Sequence, residues 1–99
     1  MAPPRRAPAA RVVSVRWLPL GVAGMTLRHT ILVRREHAGD EALLEHEMVH
    51  VRQWEQLGVP RFLWRYLSAY LRGRLGGLSH DEAYRAIPLE VEARQVAGR

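Results

Sequence analysis

Leu43-Leu44-Glu45-His46-Glu47-Met48-Val49-His50-Val51 is the stretch whose reading decides this chain. It contains H-E-x-x-H, as His46, Glu47 and His50. On a helix, residues four apart lie one turn above each other on the same face. Two imidazoles at that spacing can both reach one zinc ion. Glu47, one residue on from His46, can touch a water on that ion without ligating the metal. A carboxylate base beside a Lewis acid is the equipment of metal-assisted hydrolysis. Two solvated histidines on an amphipathic helix would show the same spacing, so the flanks matter.

Those flanks predict a buried helix. Asp40 follows Gly39 as a plausible N-cap, and Glu41 places negative charge in the first turn. Leu43, Leu44, Met48, Val51, Trp54 and Leu57 recur at helical spacing and cover more than one face. Gly58 and Pro60 then give a stop. Histidine and glutamate are costly inside such a helix unless something pairs them, and a metal would.

Composition limits the rest. Ninety-nine residues allow one small domain with little room for a second core. An apolar fraction of 47% is too high for disorder. The absence of cysteine excludes disulfides and thiolate zinc sites, leaving His and carboxylate as ligands. The net charge is +5, and all fifteen basic residues are Arg. With Lys and Asn both missing and Ala, Leu and Gly abundant, GC-rich coding explains this better than a nucleic-acid surface. Met1-Ala2-Pro3-Pro4-Arg5-Arg6 lacks the apolar run of a signal peptide. No stretch approaches the roughly 18 apolar residues that span a bilayer. A cytoplasmic protein with no membrane partner is therefore expected.

Residues 1 to 10 are Pro- and Ala-rich and are expected to be disordered. Arg11 to Leu18 is β-branched and part-alternating, which predicts a strand; Pro19 to Gly24 has turn composition. Met25 to Arg34 reads as one strand or two short ones, with Leu27, His29, Ile31 and Val33 on one face. His29 there, and His37 in the following loop, are expected to be structural. Phe62, Leu63, Tyr66, Leu67, Tyr70 and Leu71 mark a second amphipathic helix whose aromatic stripe is expected in the core; Arg61, Arg65 and Arg72 fall nearer the solvated face. Gly73, Gly76 and Gly77 are expected to break it. Ser79 and Glu82 have capping-box spacing for a short helix, and Pro88 suits the first position of a last one. The predicted fold is α+β: a short N-terminal antiparallel sheet, then three to four helices with the H-E-x-x-H helix at the centre.

Catalytic zinc usually takes three protein ligands and leaves one position open. Beyond His46 and His50, the last helix offers Glu90 and Glu92, which face nearly opposite sides, so only one can point at the metal.

Here the chain resembles a family. H-E-x-x-H on a helix, followed later by E-x-x-A as Glu90-Val91-Glu92-Ala93, is similar to the gluzincin zinc metallopeptidases, and in particular to small bacterial proteins of minimal zincin type. The similarity covers most of residues 25 to 95. It implies a single zincin-like domain over residues 11 to 99, one Zn²⁺ per chain, and Glu90 as third ligand, with Glu92 beside the site or in solvent. It implies hydrolysis of peptide bonds in a peptide or unfolded protein, through a zinc-bound water activated by Glu47. Gluzincins steady the developing oxyanion with a Tyr or His near the Glu helix, which points to Tyr84 or His80. Members with an acid after the alanine use it to orient a ligand histidine; here Arg94 follows, and Asp81, Glu82 and Glu45 are the candidates to replace it. Two other classes share these features: a non-catalytic zinc-stabilised interaction module, with no use for Glu47, and a basic nucleic-acid-binding domain, with no need of zinc.

Overall fold

A computed structural model describes residues 9 to 98. Of the segment expected to be disordered, residues 1 to 8 fall outside the described residues. Ala10 packs against the core, and the Arg11 amide donates to the His29 carbonyl at 2.8 Å.

Three strands come first: β1 (Arg11–Val15), β2 (Gly24–Leu27) and β3 (Thr30–Arg34). Their order is β1-β3-β2, so β3 is central. The sheet is mixed rather than wholly antiparallel: β2 runs antiparallel to β3, and β1 runs parallel to it. The chain reverses twice between β1 and β3, once through residues 16 to 23 and once at the hairpin. Two reversals restore the original direction.

The hairpin also corrects the expected faces. Thr26 pairs with Ile31 and Gly24 with Val33, and cross-strand partners share a face. The two-residue turn at Arg28 and His29 therefore shifts the alternation by one. Thr26, not Leu27, joins Ile31 and Val33 beneath the helices; those three are buried and Leu27 is exposed. Arg28 holds φ at +57° to make the turn, a conformation that costs an ordinary residue about 1–2 kcal/mol.

The helical part is α1 (Glu41–Leu75), α2 (His80–Ala86) and α3 (Pro88–Ala97). Asp40 caps α1, accepting from the Leu43 amide at 3.1 Å, an arrangement worth about 1 kcal/mol. Gly58, at φ +77° and ψ 164°, divides α1 into two limbs, and Pro60 opens the second. The second limb passes through Gly73, which was expected to break it, and ends at Gly76. A β-carbon at Gly73 would sit 3.0 Å from that of Ala83, so this glycine lets α2 pack closely on α1. Ser79 and Glu82 form the capping box of α2, and Pro88 opens α3.

Ile31, Val33, Leu43 and Val51 form the core between the sheet and the first limb of α1. The expected aromatic stripe of the second limb is only partly core. Phe62 is buried and Tyr66 and Tyr70 are half-buried, but Leu63, Leu67 and Leu71 stand in solvent. Arg61, Arg65 and Arg72 are exposed, as expected. Among the described residues, no helix is long and apolar enough to cross a membrane.

Candidate metal centre

His46 and His50 come from the first limb of α1, one turn apart, with ring centroids 5.0 Å apart. Glu90 enters from the first turn of α3. Its carboxylate lies across both rings: Oε1 is 2.9 Å from His46 Nε2 and Oε2 is 3.0 Å from His50 Nε2. All three residues are buried. Pro88 fixes where α3 starts, and Ile87 just before it is almost wholly buried. This register turns Glu90 inward and leaves Glu92 on the flank.

The three donor groups suit a metal ion. One ligand atom from each of His46, His50 and Glu90 lies within 4.8 Å of the others. Imidazole nitrogen and carboxylate oxygen are ligands that zinc accepts. His50 Nε2, although 3.0 Å from Glu90 Oε2, is buried and not aligned to hydrogen bond with it. Burying such a nitrogen without a partner is costly. A cation held by these atoms would take the place of the imidazole protons that Glu90 now attracts. A buried His-His-Glu group that can bind a metal ion is thus present.

Gln53 orients His50. Gln53 Nε2 donates to the Leu89 carbonyl at 3.0 Å and to Glu92 Oε1 at 3.0 Å, both pure acceptors. That fixes its amide, so Gln53 Oε1, 2.7 Å from His50 Nδ1, accepts the Nδ1 proton. Neutral His50 then carries its lone pair on Nε2, the nitrogen that faces Glu90. Of the acids weighed for this task, Asp81 lies 3.6 Å from Arg85, Glu82 caps α2 and Glu45 is exposed. An amide does the work instead.

Tyr66, from the second limb of α1, donates to Glu90 Oε2 at 2.6 Å. Burial alone would raise the Glu90 pKa, but hydrogen bonds from His46 and Tyr66, together with the charge that His50 can carry 3.0 Å away, hold it far below the usual carboxylate range. Burial would likewise lower His50, and the Glu90 carboxylate beside it reverses the direction.

Glu47 is buried at the edge of this group, its Oε2 3.9 Å from His46 Nε2. Thr26 Oγ1 lies 3.1 Å both from Glu47 Oε1 and from the Glu47 carbonyl. Gly24 leaves room for it: a β-carbon there would sit 3.3 Å from Glu47 Cγ. Burial raises the Glu47 pKa, more than His50, His46 and Thr26 together lower it.

Tyr84 and His80 both line the clefts that open beside Glu47. Burial, then the Glu90 charge, raises the Tyr84 pKa, so its phenol remains a proton donor. His80 Nδ1 is 2.8 Å from the Tyr70 hydroxyl, which accepts from Arg74 Nη1 at 3.2 Å. His29 and His37 stand apart from the site: His29 pairs with Glu55 at 2.9 Å, and His37 Nε2 accepts from Arg34 at 3.5 Å.

No family model, curated protein or solved structure matches the chain.

Proposed function

We propose that the chain is a zinc-dependent metallopeptidase of the H-E-x-x-H type. The observation that carries this is one juxtaposition. Glu90, forty-four residues along the chain from His46, lies across both imidazoles, while Glu47 stays outside the ligand group and within reach of it. A metal that only stiffened the fold would need the first three residues and not a second buried carboxylate beside them.

His46, His50 and Glu90 would hold the ion. Zinc, when bound, supplies Lewis-acid polarisation of a substrate carbonyl and of water. Glu47 accepts the proton of the attacking water and returns it to the leaving amine, the general-base and general-acid roles in turn. Thr26 keeps the Glu47 carboxylate in place, and Gly24 gives it room. Gln53 and Tyr66 hold His50 and Glu90 in their donating orientations. Tyr84, a protonated phenol on the cleft wall, donates to the oxyanion as it develops; His80 is the other candidate donor on that wall. The clefts meet beside Glu47, Tyr84 and Glu90, where an extended peptide can approach, and the substrate is a peptide or an unfolded protein.

Elemental analysis of purified protein, followed by cleavage assays on unfolded casein with and without chelator, tests the proposal. About one zinc per chain and chelator-sensitive cleavage are expected. Protein that takes up no zinc would overturn it.

A further inference from the structure

The space beside the metal centre has two chemically different ends. On the His46 side, a cleft of about 350 Å³ carries Asp81, Arg85 and Arg94 on its walls. On the His50 side lies a cavity of about 540 Å³. Glu47, Tyr84 and Glu90 border both spaces, so the two meet at the proposed site of chemistry.

The second cavity is walled mainly by carbon. Trp54, Phe62 and Tyr66 make a continuous stack along one wall, with ring centroids 3.9 Å and then 5.5 Å apart and planes inclined by 15° in each case. Trp54 is fixed there because its indole donates to the Thr26 carbonyl at 3.2 Å. At the rim, Leu63 and Leu67 line the cavity yet are 41% and 58% exposed. Leu20 and Leu27 border the same cavity and are also exposed. Contiguous exposed apolar surface around a concave apolar space is what a binding site for an apolar group looks like.

Resting on the metallopeptidase reading, we infer that this cavity is a specificity subsite. It takes one bulky apolar side chain, of leucine or phenylalanine type, from a residue flanking the bond to be cut. Its position explains the selectivity: a peptide whose carbonyl reaches the space between Glu47 and Tyr84 must lay a neighbouring side chain along the aromatic stack. An acidic side chain would lose water there and meet the Glu47 and Glu90 carboxylates. Folded proteins bury their bulky apolar residues, so the side chains this cavity accepts are offered by unfolded segments.

The test is a binding series. Blocked Gly-Gly-X-Gly-Gly peptides, with X as Phe, Leu, Ala or Glu, are titrated into zinc-loaded Glu47→Gln and into metal-free wild type. Phe and Leu peptides should bind at least about tenfold more tightly than Ala, and Glu not detectably. Leu67→Arg, at an exposed wall position that leaves the core intact, should remove most of that preference without changing zinc uptake. Equal binding of Ala and Phe, an unchanged preference in Leu67→Arg, or no binding of any peptide would overturn the subsite. Apolar preference in a protein that never takes up zinc would instead defeat the metallopeptidase reading and leave the selectivity of the cavity standing.

Discussion

His50 and Gln53 stand about one turn apart on the same face of α1, and the amide oxygen of Gln53 takes the Nδ1 proton of His50 at 2.7 Å. Gln53 is itself held from α3, through the Leu89 carbonyl and Glu92. The helix that supplies two proposed ligands is thereby coupled to the helix that supplies the third.

That coupling gives the first prediction. Gln53→Leu keeps the approximate volume but removes the acceptor, so His50 loses the bond that selects its tautomer. Zinc affinity should fall by about 10- to 100-fold, as read by competition with a chromophoric chelator. Equal affinity in Gln53→Leu and wild type would mean that the contact does not tune the site.

Glu90 and Glu92 separate cleanly in a second experiment. Glu90 faces both histidines, whereas Glu92 reaches the site only through Gln53. Glu90→Gln should lower zinc affinity severely and Glu92→Gln only mildly. Glutamine is preferable to alanine here, because removing one partner of a buried charged group destabilises the fold by about 3–5 kcal/mol even without metal. Tyr66→Phe should give an intermediate loss, since Glu90 Oε2 then lacks the hydroxyl at 2.6 Å. A larger loss from Glu92→Gln than from Glu90→Gln would reverse the assignment.

How much of this was legible in the sequence follows from which interactions are local. His46, Glu47 and His50 share one helical segment, so their spacing states their geometry. The Asp40 cap, the Gly58 break, the Ser79 box and the Pro88 start are equally local. Gln53 lies at i+3 from His50 and is legible from the same helical geometry, although an uncharged amide is a weaker signal than the acids nearby. Tyr66 and Thr26 carry no such signal. Tyr66 reaches Glu90 only because Gly58 redirects the second limb of α1. Thr26 reaches Glu47 only because a two-residue turn shifts the face of β2, and strand periodicity alone cannot tell where a turn interrupts it. The parallel pairing of β1 was hidden for the same reason, since it depends on the path of a connection. The exposed leucines of the second limb show the limit of periodicity. An apolar stripe indicates surface suited to be covered, and here part of that surface rims a cavity.

The hairpin supplies a stability test independent of the metal. Arg28 adopts φ +57°, which glycine adopts without steric cost. Arg28→Gly should therefore stabilise the fold by up to about 1 kcal/mol in chemical denaturation, the relief of strain exceeding the added freedom of the unfolded chain. Zinc uptake should be unaffected. A loss of stability would show that the Arg28 side chain contributes more than its backbone conformation costs.

Glu47 decides between a peptidase and a metal-stabilised module. Its carboxylate is buried, lies outside the His46, His50 and Glu90 group, and is seated by Thr26 and by the space at Gly24. Glu47→Gln preserves the shape and the Thr26 contact but cannot accept a proton. Removing a general base costs about 10² to 10⁴ in rate, so cleavage of casein or a mixed peptide library should fall by that factor while zinc content and folding stay near wild type. Gly24→Ala offers a graded companion. A methyl group 3.3 Å from Glu47 Cγ forces the carboxylate to shift by a few tenths of an ångström, and activity should drop by less than in Glu47→Gln with the metal still bound. If Glu47 served only to satisfy Thr26 in the core, both substitutions would alter stability and neither would alter turnover. Equal cleavage by wild type and Glu47→Gln would remove Glu47 as the base. Zinc-loaded protein that cuts nothing across broad libraries and pH would make the site a structural metal centre.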